Sequence, residues 1–127
     1  MKGRGGTPPF FQLPHRLLDL PAYINLSHTS KSLLMDIGRQ FNGRNNGDFC
    51  VTLKIMRGRG WNSNSTMRNA LNALIDAKLV MQTRQGWLGR CSLYALTWLP
   101  INECAGKLDV SPTVVPPVPL SLHPSLK

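Results

Sequence analysis

Apolar residues recur along this chain in two helical stripes, with alternating stretches between and after them. Leu33, Leu34, Ile37 and Phe41 fall at helical spacing, and Ser27 or Thr29 stands where an N-cap is needed. This predicts a helix ending at Phe41-Asn42-Gly43, where glycine allows a left-handed exit. Upstream, Leu17, Leu18 and Leu20 predict a short helical turn that Pro21 interrupts. The second stripe is Met67, Ala70, Leu71, Leu74 and Ile75. Ser63 precedes it as an N-cap, and Lys78 in its last turn suits the helix dipole. The opposite face carries Asn64, Arg68, Asn69 and Asn72.

Between the two helices, GRNNGD is a turn cluster. Phe49, Val51 and Leu53 then alternate like a strand before Ile55 and Met56 change the phase. This predicts a brief extended entry near Phe49 and a short helix over about 52–57. After the second stripe, Leu79–Arg84 and Cys91–Trp98 read as two strands joined by a glycine turn, QGWLG, which is a hairpin signal. The ends differ from the middle. Residues 1–14 are rich in Gly and Pro and read as a flexible arm, although Phe10, Phe11 and Leu13 offer apolar groups for docking on the core. From residue 101 the chain reads as a disordered, Pro-rich tail, with five prolines in its last nineteen residues. One domain, residues 15–100, lies between them.

Charge sharpens this picture. Of 127 residues, 15 are Lys or Arg and 6 are Asp or Glu, a net charge of +9 that points to a polyanionic partner. The excess is local. His15–Leu53 holds four bases and three acids, whereas Lys54–Arg90 holds seven bases and one acid, Asp76. No apolar run approaches the ~18–20 residues of a membrane span, and the N-terminus reads as an arm rather than a signal peptide. Cys50, Cys91 and Cys104 are odd in number and widely spaced, without a metal-ligand pattern. They are expected to be free thiols in a reducing cytoplasm.

The order helix, short helix, glycine turn, capped helix, hairpin is that of a winged helix-turn-helix. From Leu26 to Trp98 the chain resembles such domains. NSTMRNALNALIDAKLVMQTRQG and CSLYALTW resemble the recognition helix and wing of small bacterial and phage proteins, including phage replication-initiator N-terminal domains and many repressors. FNGRNNGDF followed by GW resembles small proteins of prophages and integrated mobile elements. The sequence departs from the pattern in its basic, glycine-broken turn RGRGW and in having no evident dimerisation helix. The resemblance implies an α+β fold: a three-helix core with a C-terminal two-stranded wing.

It also implies double-stranded DNA as partner, for a transcription regulator or replication accessory. The N-terminal part of a recognition helix enters the major groove, where Asn matches adenine and Arg matches guanine by paired hydrogen bonds. Asn62, Asn64, Ser65, Arg68, Asn69 and Asn72 are the base-contact candidates, although the same residues also suit an ordinary capped, solvated face. Asn and Ser are poor helix formers, so a face rich in them asks for a reason other than stability. Lys54, Arg57 and Arg59 are candidates for phosphates, which set affinity without reading sequence. Arg84, Gln85, Trp87 and Arg90 bracket the wing tip, where Arg suits the backbone or minor groove. Trp87 stacks on nucleic acid, marks a protein contact, or packs back on its hairpin, and Trp61 and Trp98 read as core or hinge packing.

Other classes remain open. The wing and PPVP (residues 116–119) would serve a protein-interaction or inhibitor module that meets an acidic protein. Structured or single-stranded RNA would need more exposed aromatic rings than this chain offers. The histidines lie near no nucleophile, the aspartates form no paired motif, and GRGG and GRNNGD are not phosphate loops. No enzymatic activity, cofactor or metal is expected.

Overall fold

In the computed structural model, which describes residues 8–123, two four-residue helices come first: α1 (His15–Leu18) and α2 (Pro21–Ile24). Pro21 does end the first turn, but it also begins the second helix. Its missing N–H costs nothing at a helix start. Helix α3 (His28–Gly38) is capped by Ser27, whose Oγ accepts from the Ser30 N–H at 3.1 Å, and it ends at Gly38, before the expected stop at Phe41-Asn42-Gly43. Strand β1 (Phe49–Cys50) leads into α4 (Leu53–Met56), capped by Thr52 and continued by a 3₁₀ turn over Arg57–Arg59. Helix α5 (Asn64–Asp76) begins at Ser63, whose Oγ accepts from the Thr66 N–H at 3.2 Å. It ends at Asp76, so Lys78, expected in its last turn, lies beyond the Ala77 C-cap in the left-handed region, φ 61°. Strands β2 (Val80–Arg84) and β3 (Leu93–Leu96) follow.

The described residues thus form an α+β fold of five helices and one three-stranded antiparallel sheet, in the order β1-β3-β2. The hairpin expected from the sequence gains a third strand. Phe49 pairs with Tyr94 and Cys50 with Leu93. The core is the meeting of the two helical stripes with one face of this sheet. Leu33, Leu34 and Ile37 from α3, Met67, Leu71 and Leu74 from α5, and Phe49, Val80 and Leu96 from the sheet are all buried in one cluster. At ~1.5–3 kcal/mol for each fully buried large side chain, this cluster is the main source of stability.

Three expectations are corrected. The first concerns the tail, which was expected to be disordered from residue 101. Through His123 it instead returns along the sheet. Ile101 is buried, the Asp109 N–H donates to Thr83 O at 2.8 Å, and the Val118 N–H donates to Thr97 O at 3.1 Å. Every β3 residue is buried, so both faces of that strand are covered. An unpartnered second face is a reason for a proline-rich segment to pack. Residues 124–127 lie outside the described residues.

The second concerns the arm. Its residues 1–7 also lie outside the described residues, and Phe10 is 66 % exposed rather than docked, but from Phe11 the arm packs on the fold. Phe11 and Leu13 pack on the core, Gln12 O accepts from Trp98 Nε1 at 3.0 Å, and the Phe11 ring fills the space a side chain at Gly38 would need.

The third concerns the cysteines. Cys50 and Cys91 are joined by a disulfide with Cα atoms 6.4 Å apart, and only Cys104 is a free thiol. They are 41 residues apart in sequence, so only the pairing of β1 with β3 reveals their proximity. Burial is the main reason the Cys104 thiol is pushed up from its ordinary value, with the Asp48 carboxylate adding to the effect.

Candidate nucleic-acid interface

Helix α5 divides its residues between core and solvent as its stripe requires. Met67, Ala70, Leu71 and Leu74 are buried, while Asn64, Ser65, Arg68, Asn69 and Asn72 are exposed, and so is Asn62 in the preceding turn. The first acidic residue of the helix is Asp76, its last residue. All six base-contact candidates therefore lie at the surface on or beside one helix, and five share its outer face. The helix is anchored against α3, where the buried Ser30 Oγ donates to Ala70 O at 3.3 Å.

One acid of α3 holds the turn that leads into α5. Asp36 accepts from Trp61 Nε1 at 2.7 Å and from Arg59 Nε at 3.1 Å. The glycine-broken stretch is thereby clamped to α3, and Gly60 takes the left-handed conformation (φ 97°) that closes the 3₁₀ turn. Asp36 carried no signal of this role in sequence, because its partners are 23 and 25 residues away. Of the phosphate candidates, Lys54 and Arg57 are exposed, whereas Arg59 is committed to Asp36. Lys107 pairs with Asp48. Of the basic interface candidates, only Arg59 is in a salt bridge among the described residues; Lys54, Arg57, Arg68, Arg84 and Arg90 are not.

The β2–β3 connection is a second, narrower hairpin. Trp87 and Arg90 exchange backbone hydrogen bonds at 3.1 and 3.0 Å, so Leu88 and Gly89 form its tip, with Gly89 at φ 80°. The two arms meet so closely at Gly86 that a Cβ there would strike the backbone of Ser92. Four further ties brace the base. Arg84 Nη2 donates to Cys91 O at 2.8 Å, the Gly86 N–H to Ser92 Oγ at 2.9 Å, and the Gln85 N–H to Asp109 Oδ2 of the tail at 2.8 Å. The fourth tie is the Cys50–Cys91 disulfide to β1. Arg84, expected at the surface of the wing, therefore spends its guanidinium inside it, and Gln85 is bound to the Gln82 side chain at 2.9 Å. Trp87 stays 66 % exposed, with the Arg90 guanidinium 4.5 Å above its ring.

Trp61 and Trp98 are packing residues, half-buried and buried respectively. Among the described residues, no group of three or more His, Cys, Asp and Glu side chains is placed to hold a metal ion, and no helix is long and apolar enough to cross a membrane. No protein-family model, curated protein or solved structure matches the chain.

Proposed function

We propose that this chain is a winged helix-turn-helix protein that binds double-stranded DNA with sequence preference, as a transcription regulator or replication accessory of a phage or bacterial mobile element. The observation that carries the reading is the outer face of α5. Asn64, Ser65, Arg68, Asn69 and Asn72 are all exposed on a helix whose other face is core, and the first acid comes at Asp76. Such a face offers the donors and acceptors that base edges match, and it lacks the negative charge that phosphates would repel. The element order and the strand order β1-β3-β2 agree with the architecture. In this reading α4 with its 3₁₀ turn is the helix before the turn, α5 is the recognition helix, and residues 85–92 are the wing. Lys54 and Arg57 meet phosphates, while Arg59 acts by positioning the turn through Asp36.

The alternative, a module for an acidic protein, loses one of its supports. Pro116, Pro117, Val118 and Pro119 are half-buried against their own chain, so PPVP is not presented as a free polyproline ligand.

Binding of a labelled pool of genomic duplex fragments, followed by anisotropy over a range of salt, tests the proposal against single-stranded DNA and RNA. Enrichment of particular fragments with a steep negative salt slope supports it. In that assay Arg68→Ala is expected to relax sequence preference, and Arg57→Ala to weaken all duplexes alike while reducing the salt slope by about 1. Equal, salt-labile binding of every polyanion rejects it.

A further inference from the structure

The hairpin tip presents what a folded chain ordinarily hides. Leu88 is 97 % exposed and Trp87 66 % exposed, side by side in sequence. Neither stabilises the fold by burial, yet the structure beneath them is heavily braced. The Trp87–Arg90 backbone pair closes the tip, and Arg84, Ser92, Asp109 and the disulfide fix the base. A rigid stalk under an apolar tip holds a shape that a mobile loop would lose. The tip is also cationic, because Arg90 lies 4.5 Å above the Trp87 ring. A guanidinium suits the negative potential of a narrow minor groove, and an apolar side chain beside it suits the space between two unstacked base pairs. A phosphate-only contact would need the arginine but not the leucine.

We propose that Leu88 and Trp87 form a wedge that enters the minor groove, parts a base step and bends the duplex, with Arg90 as its electrostatic guide. This rests on the DNA-binding reading above and adds to it the deformation of the DNA as a second source of preference. Flexible pyrimidine–purine steps are favoured under the tip because they unstack at least cost. The wedge is two residues on a connection that begins one residue after β2, so both substitutions leave the core untouched.

The test uses the full chain and a duplex of about 30 base pairs, taken from the fragments the protein enriches and labelled at both ends for energy transfer. The wild type is expected to bring the ends together, with a bend of about 20–90°. Leu88→Ser and Trp87→Ala are each expected to lose most of the bend and to bind roughly tenfold more weakly, whereas Trp87→Phe retains both. Replacing a central TA step by a stiff A-tract is expected to weaken the wild type but not Leu88→Ser. If the variants bind and bend the duplex as the wild type does, the wedge is wrong and the DNA-binding reading stands. If the wild type binds no duplex, both fall. Vesicles of mixed phosphatidylserine and phosphatidylcholine serve as a further probe. A blue shift of tryptophan emission that Trp87→Phe abolishes, seen on vesicles but not on duplex, overturns the wedge in favour of a lipid surface.

Discussion

At the scale of single residues, two polar side chains organise more of the molecule than any one apolar group. Asn46 is fully buried. Its Nδ2 donates to Leu96 O and Pro100 O at 2.9 Å and approaches Leu99 O at 3.2 Å, while its Oδ1 accepts from the Leu96 N–H at 2.9 Å. It thereby fixes the end of β3 and the start of the tail to the loop before β1. Asn46→Ala leaves several buried backbone groups without partners, at ~1–3 kcal/mol each. The expected loss of stability is about 3 kcal/mol or more, read from urea denaturation; a loss below 1 kcal/mol would mean that water or a shifted backbone replaces the amide. Asp36 acts on the turn before α5. Its bond to Arg59 is half-exposed and contributes at most about 1 kcal/mol, whereas its bond to the half-buried Trp61 indole is the firmer one. Asp36→Ala is expected to move Trp61 emission to the red and to weaken duplex binding several-fold, with only ~1–2 kcal/mol of stability lost. Binding at wild-type strength would show that the turn holds its shape without the carboxylate.

At the scale of elements, the hairpin between β2 and β3 depends on neighbours far away in sequence. The Cys50–Cys91 disulfide ties it to β1, and Asp109 ties it to the tail. Two electrons and two protons from a dithiol reductant convert the bond to two thiols. The backbone pairing of β1 with β3 does not need the bond, so the change is expected to stay local. Reduction is expected to raise amide exchange across residues 85–92 while α5 keeps its protection. Exchange that rises equally in α5 would show that the bond holds the whole core rather than the hairpin. In a reducing compartment the hydrogen bonds of Arg84, Gly86 and Gln85 would brace the base of the hairpin without the disulfide.

At the scale of the whole molecule, the returning tail makes stability depend on pH. His123 is buried, and its Nε2 has no hydrogen-bond partner among the described residues. Burial, and secondarily the charge of Lys78, lowers its pKa from the ordinary histidine value. A lowered pKa means that the unfolded chain binds the proton more readily than the folded one. The contribution of the docked, neutral ring is therefore complete above about pH 6.5 and is lost as pH falls from there through the folded value. Thermal denaturation is expected to show a falling midpoint over that window, and His123→Leu is expected to flatten it. An unchanged slope in the variant would place the pH dependence elsewhere. Removal of the chain after Pro100 is expected to cost at least about 2 kcal/mol, since Ile101 alone buries a large side chain. Its loss also strips the hydrogen bonds to Thr83, Thr97 and Gln85.

Local patterns were enough to locate the long helices, and physics explains why. A stripe such as Met67–Ala70–Leu71–Leu74 has one stable outcome, a helix with that face inward, and Ser27 and Ser63 are caps whose partners lie three residues away. The hairpin and the exposed Asn/Arg face of α5 were legible for the same reason, since both are written in contiguous residues. Everything that depends on partners distant in the chain was decided only by the tertiary structure. Asp36 reads as one more acid until Arg59 and Trp61 converge on it. Asn46 reads as a turn residue until β3 ends above it, and Cys50 and Cys91 read as spare thiols until β1 pairs with β3. The proline-rich tail reads as disorder because it cannot form a helix or a central strand by itself. It packs because β3 offers a second apolar face, and nothing in the tail's own composition announces that face.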